Sequence, residues 1–175
     1  MNDVIEVLKT RRSIRKFKDR MPERRVIESV IEAGLYAPCA MGKQYTKIIA
    51  ITDKGVRDTV ADINRQIGGW PEGMDPFYGA PVILLVIARK DWPQRVYDGS
   101  LVLGNMMNAA HALGLGSCWI HRAKEELEMD YFKKILADLG IEGEWEGIGH
   151  LALGEVDGNY PNAPARDGDR VFFIE

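Results

Sequence analysis

Seven consecutive apolar residues, Val82-Ile83-Leu84-Leu85-Val86-Ile87-Ala88, constrain the fold more than any other stretch. A run apolar at both parities predicts a strand covered on both faces, and therefore a strand in the middle of a sheet. Lys47-Ile48-Ile49-Ala50-Ile51-Thr52 predicts a second buried strand, Ser117-Cys118-Trp119-Ile120 a short one, Ile148 to Glu155 another and Val171-Phe172-Phe173-Ile174 a last. Helical spacing recurs between them. Val4, Ile5 and Leu8 form one apolar stripe; Val26, Ile27, Val30, Ile31 and Leu35 form a second, with Pro22 in its first turn; Val56, Val60, Ile63 and Ile67 form a third. A long helix from Asp98 to Leu113 buries Leu101, Val102, Met106, Ala109 and Leu113, and Gly114 ends it. Leu127, Tyr131, Phe132, Ile135, Leu136 and Leu139 form a further amphipathic helix, with Asp130 and Lys134 paired at i, i+4.

Composition narrows the class. With 175 residues, 46% of them hydrophobic, the chain reads as one domain over 1–175, and a domain of this size buries about 70% of its unfolded surface. No apolar run reaches membrane-spanning length, and Met1-Asn2-Asp3 does not open a secretory signal, so a cytoplasmic protein without membrane contact is expected. Cys39 and Cys118 are the two cysteines, and His111, His121 and His150 lie far apart, so neither a disulfide framework nor a metal site is expected. The acidic pI of 5.7 argues against a nucleic-acid partner.

Charge is concentrated at one place. Between Lys9 and Arg25 there are nine basic residues against two acidic, while the rest of the chain has 14 basic and 24 acidic. Within this run Arg11-Arg12-Ser13-Ile14-Arg15-Lys16-Phe17 follows the first helix and offers guanidinium forks and a hydroxyl to one anion, a phosphate above all. Read alone, the same run could equally be a solvated basic face.

Three stretches in order carry a resemblance. Arg11-Arg12-Ser13-Ile14-Arg15-Lys16-Phe17 is similar to the R-R-S-x-R-x-F signature of the nitroreductase family, Ala37-Pro38-Cys39-Ala40-Met41-Gly42-Lys43-Gln44 to its A-P-S-x-x-N-x-Q, and Ala112 to Trp119 to the segment that leads into its flavin-facing strand. The resemblance implies an α+β three-layer sandwich with a mainly antiparallel sheet flanked by helices, in an intertwined homodimer. Its tail, from about residue 160 to 175, would reach the partner subunit. It also implies FMN as cofactor and NAD(P)H as transient electron donor. Hydride would pass through flavin N5 to a nitroaromatic, a quinone or a similar small acceptor, by a ping-pong mechanism with no dedicated side-chain catalyst. A flavin-binding sensor or storage protein with little turnover is the alternative.

The same resemblance assigns residues. Arg11, Arg12, Ser13 and Arg15 would grip the phosphate and ring edge of FMN, with Arg11, Arg15 and Arg166 on the phosphate; Pro38, Cys39, Ala40, Gly42 and Gln44 would approach the flavin from the partner; Trp119, Ile120 and His121 would pass beside the isoalloxazine. Cys39 and Gly42 stand where the family has serine and asparagine, so two side-chain donors are missing. Glycines at 114 and 116 follow a helix rather than a strand, so they are no dinucleotide fingerprint. The stretch 68–81, rich in Gly and Pro, either forms a lid whose Trp70, Phe77 and Tyr78 line a substrate pocket, or is pinned to the core by those rings. On its own residues His121 reads as a surface or capping group, and His150 as a hydrogen-bonded structural one.

Overall fold

The computed structural model describes residues 3–175. Four strands form one antiparallel sheet: β1 (Thr46–Ile51), β2 (Val82–Arg89), β3 (Gly116–Ile120) and β4 (Trp145–Gly154), in spatial order β1-β2-β4-β3. As its continuous apolar run predicts, β2 is interior, and its two faces feed two separate cores. Val82, Leu84 and Val86 join Ile27, Val30, Leu103 and Met106, from α2 (Arg24–Leu35) and α4 (Arg95–Ala112). Ile83, Leu85 and Ile87 join Val60, Ala123, Leu127 and Phe132, from α3 (Lys54–Ile67), α5 (Ala123–Leu127) and α6 (Asp130–Asp138). The result is three layers, and α1 (Asp3–Thr10) lies against α4.

Several boundaries differ from the sequence reading. Pro22 is buried ahead of α2 rather than within it, since the helix begins at Arg24. The stripe through Leu127 to Leu139 breaks at Glu128 and Met129 into α5 and α6. Lys134 pairs with Asp138 at 2.7 Å and not with Asp130, which has Lys133 at 3.8 Å. Asp130 starts α6, where the backward tilt of its Cα–Cβ bond carries the short side chain off the end of the helix.

The long helix α4 departs more instructively. Leu101 and Leu113 were expected inside but are 46% and 47% exposed, and Val96 and Tyr97 on the same helix are exposed too. The tail residues Val171, Phe172, Phe173 and Ile174 form no strand within the chain, and Phe172 and Phe173 are about 85% exposed. In these two regions one chain leaves several large apolar side chains uncovered.

A bulge on β4 shapes the site. Val86 pairs with Gly149 and Ile87 with Gly147, which leaves Ile148 unpaired. Such bulges turn a side chain out of register. Ile148 packs on Gly99 of α4, while at Gly147 the backbone meets α5 so closely that an added Cβ would lie 2.0 Å from the Ala123 carbonyl oxygen.

Candidate functional site

The basic run leaves α1 and becomes an extra edge beside β3. Ser13 bridges Ser117 in parallel, Ile14 N donates to the Ser117 carbonyl at 2.9 Å, and further on Phe17 bridges Val156. Ile14 and Phe17 are the run's apolar anchors, 3% and 8% exposed, so the arginines between and before them are held at the surface of the β3 edge. This was legible as a basic cluster, but not as an edge strand.

The arginines have different fates. Arg12 turns back, its Nη1 donating to the Lys9 and Arg11 carbonyls at 2.8 and 2.5 Å, which satisfies acceptors left open at the end of α1. Its guanidinium is thereby partly committed to the fold. Arg15 is exposed. Arg11 is half-buried, and its Nη1 is shut off from solvent with no protein acceptor. A charged donor left in that state is costly, and an anionic oxygen would satisfy it. An anion such as a phosphate therefore fits this corner at the Arg11 Nη1.

Two further groups share the corner. Burial pushes the Cys118 thiol up, while Arg15, Ser13 and Arg11 pull against it, which places all three around β3. His111, in the last turn of α4, is held below its ordinary pKa first by burial and then by the charges of Arg11 and Arg12. Thr10 gives its hydroxyl proton to the Glu6 carbonyl at 2.6 Å, so at 2.9 Å it accepts from His111 Nε2. His111 Nδ1 is left buried without a partner. Sequence spacing gave no sign that His111 belonged here; only the packing of α1 on α4 brings it in.

The second motif lies elsewhere in the chain. Cys39 precedes a short 3-10 turn, Ala40–Gly42, in which Met41 and Gly42 have positive φ, as does Gln44 beyond it. Ala40 N donates to Asp98 Oδ1 at 2.9 Å, and Trp92 Nε1 to Asp98 Oδ2 at 2.8 Å, so a buried carboxylate on α4 fixes the loop. Gln44 N points at Cys39 Sγ, 3.4 Å away. Pro38, Gly42 and Gln44 are exposed, and Cys39 and Ala40 half-buried. The register gives the position: Thr46 pairs with Ala88, near where β4 begins, whereas Ser117 pairs with Leu153, where β4 ends. As β1 and β3 are opposite edges, loop 38–44 and the Arg11–Ser13 corner occupy diagonal corners of one sheet.

The third motif runs from the basic corner inward. Ile120 is buried, Trp119 half-buried with its Nε1 enclosed and unpartnered, and His121 exposed. Asn64 of α3 anchors the turn, donating from Nδ2 to the His121 carbonyl at 2.9 Å and to Glu126 Oε1 at 2.6 Å. Both acceptors demand the amide nitrogen, which fixes the orientation of Asn64. Glu126 Oε2 lies 2.8 Å from His150 Nε2, short but without hydrogen-bond alignment, and His150 meets Phe77 edge-on at 5.3 Å.

Those contacts take Phe77 out of the pocket assignment and match the reading in which its ring pins the loop to the core. Phe77 is 0% exposed in the core over His150 and has no face to offer a ligand. Tyr78 is half-buried against the same core at φ 56°, and Trp70 is half-buried under Arg122. Arg166 is exposed in the tail and, among the described residues, enters no ion pair. No group of His, Cys, Asp and Glu among the described residues could hold a metal ion, and no helix there is long and apolar enough to cross a membrane.

With that geometry in hand, the profile of the Nitroreductase family matches residues 8–155. The chain belongs to the nitroreductase family. A Methanothermobacter thermautotrophicus protein named for NADH dehydrogenase or NAD(P)H nitroreductase activity is 30% identical over 121 residues, 67% of this chain and 60% of that protein. The chain thus aligns with about 60% of the length of that nitroreductase-family relative. Among solved structures, a Bacteroides fragilis nitroreductase with bound FMN superposes over the whole of both chains with a TM-score of 0.91 at 22% identity. An FMN-dependent nitroreductase of Clostridium difficile covers 98% of this chain and 99% of its own, with a TM-score of 0.86 at 25% identity. The nitroreductase fold read from the three motifs is the fold of this chain.

Proposed function

We propose that the protein is an FMN-dependent oxidoreductase that takes hydride from NAD(P)H and delivers electrons to a small acceptor such as a nitroaromatic or a quinone. The observation that carries this reading is the enclosed Arg11 Nη1, a charged donor without an acceptor beside the Ser13 edge in a nitroreductase-family chain. Bound FMN would supply hydride acceptance at N5 and two-electron delivery. Arg11, Ser13 and Arg15 would hold its phosphate, joined by Arg166 from the tail. The backbone of Trp119, Ile120 and His121, steadied through Asn64, would lie beside the ring.

The diagonal placement of loop 38–44 supports a homodimer. Pro38, Cys39, Ala40, Gly42 and Gln44 sit at the corner of the sheet opposite their own chain's Arg11, so they would serve a flavin held by the partner. The uncovered faces of α4 and of the tail support the same arrangement, with residues from about 160 onward crossing to the other subunit. Deleting the residues after Asp167 is accordingly expected to weaken the dimer, as read by sedimentation velocity over a dilution series; a truncated protein that stays a tight dimer would contradict the exchanged tail.

Donor and acceptor would use the space over the flavin in turn, giving ping-pong kinetics. Anaerobic stopped-flow tests this directly. Bleaching of the visible flavin band by NADH or NADPH, reversed by a nitroaromatic or quinone, is the expected result. A yellow protein that neither nicotinamide reduces would favour a flavin sensor or store instead.

A further inference from the structure

The turn after β3 holds a cation that the flavin reading does not use. Arg122 has φ 79° and ψ 4°, a left-handed conformation uncommon for a residue other than glycine. Its neighbour is tied down, since Asn64 holds the His121 carbonyl at 2.9 Å. The side chain is then fixed by stacking: the guanidinium carbon lies 4.2 Å from the centroid of the Trp70 ring. Gly68 makes room for the stack, because a Cβ there would come within 2.9 Å of Trp70 Cε3 and 3.1 Å of Arg122 Nε.

Stacking occupies the face of a guanidinium and leaves its in-plane N–H fork free. Arg57, Arg65, Arg89 and Arg95, which are also ordered by tertiary contacts, each have a carboxylate partner. Arg122 has none within ion-pair distance among the described residues. It lines a cavity of about 430 Å³ together with His121, Lys124, Glu125 and the bulged Ile148. Lys124 is shared only distantly, 3.8 Å from Glu146, so it adds a second cation to the rim. A cavity of that size accepts a substituted aromatic ring or one end of a dinucleotide.

We propose that Arg122, ordered by Trp70, reads an oxyanion on a substrate: the carboxylate of an aromatic acceptor, or a phosphate of the dinucleotide donor. The proposal rests on the flavin reading for what lies beside the cavity, along Trp119 to His121. The anion site itself is a property of the chain's own side chains.

The test uses the FMN-loaded protein and three unreactive probes: benzoate, the isosteric neutral benzamide, and ADP. Titration calorimetry is expected to show benzoate or ADP bound at least about tenfold more tightly than benzamide, the worth of one charge-assisted hydrogen bond. Arg122→Gly suits the positive φ and keeps the turn, so it removes the cation without straining the fold; it should abolish the preference, and Arg122→Lys should restore part of it. Loss confined to benzoate assigns the site to the acceptor carboxylate, and loss confined to ADP assigns it to the donor phosphate. Equal binding of all three probes to the unaltered protein, or binding unchanged in Arg122→Gly, overturns the proposal. Visible absorbance after incubation with FMN and desalting reports flavin uptake separately, so a protein that retains no FMN and still binds benzoate through Arg122 would sink the flavin reading and keep the anion site.

Discussion

Arg11→Ala is expected to weaken FMN binding by roughly ten- to a hundredfold, because a charge-assisted hydrogen bond to phosphate is worth about 1.5–3 kcal/mol. The neighbouring arginines provide the controls. Arg15 is exposed and its charge is shared with water, so Arg15→Ala should cost less; Arg12 already spends Nη1 on the Lys9 and Arg11 carbonyls, so Arg12→Ala should loosen the end of α1 more than it loosens the cofactor. Quenching of flavin fluorescence by apoprotein gives the dissociation constants. The thermal midpoint of the apoprotein adds a second, independent readout. Removing a guanidinium whose Nη1 is enclosed without an acceptor should leave the apoprotein as stable as before or more so. An Arg11→Ala protein that binds FMN as tightly as the parent would show that the unpaired nitrogen serves something other than the phosphate.

What could be read in the sequence depended on whether a signal was local. The run Val82 to Ala88 announced an interior strand because both parities are apolar, and its register between β1 and β4 bears that out. The basic cluster was visible for the same reason: charge density shows without knowing the fold, though it does not by itself separate an anion site from a solvated face. Leu101 and Leu113 misled, because an apolar stripe says only that a helix will be covered, not that its own chain covers it. Phe77 was ambiguous in another way. A glycine- and proline-rich stretch left a lid and a loop pinned by its rings equally open, and nothing local revealed that Phe77 would meet His150 in the core. His111, Asn64 and Arg122 gave no signal at all. Each matters only through contacts across the sequence: Thr10 with His111, Asn64 with His121 and Glu126, Trp70 with Arg122.

Glu126→Ala is expected to lower the stability of the fold although Glu126 belongs to neither apolar core. Asn64, Glu126 and His150 are each 0% exposed, and the carboxyl links α5 to both α3 and β4. Removing the carboxyl takes one of its two acceptors from Asn64 and the carboxylate neighbour from the His150 imidazole, at a cost of about 1–3 kcal/mol. For a domain of this length each kcal/mol moves the thermal midpoint by about 2–4 °C, so a fall of roughly 2–12 °C should be seen by calorimetry. Glu126→Gln should cost much less, because its amide oxygen still accepts from Asn64 and its amide nitrogen still faces the imidazole. The comparison separates a packing role from a polar one: equal losses in both variants would mean that the cluster contributes only volume. It also reaches the site, since Asn64 holds the His121 carbonyl with the same amide that binds Glu126. In the alanine variant Asn64 loses one of its two acceptors, and the turn that carries His121 and Arg122 loses part of its anchor. The preference for benzoate or ADP should therefore decline in Glu126→Ala at temperatures where the protein is still folded, and persist in Glu126→Gln.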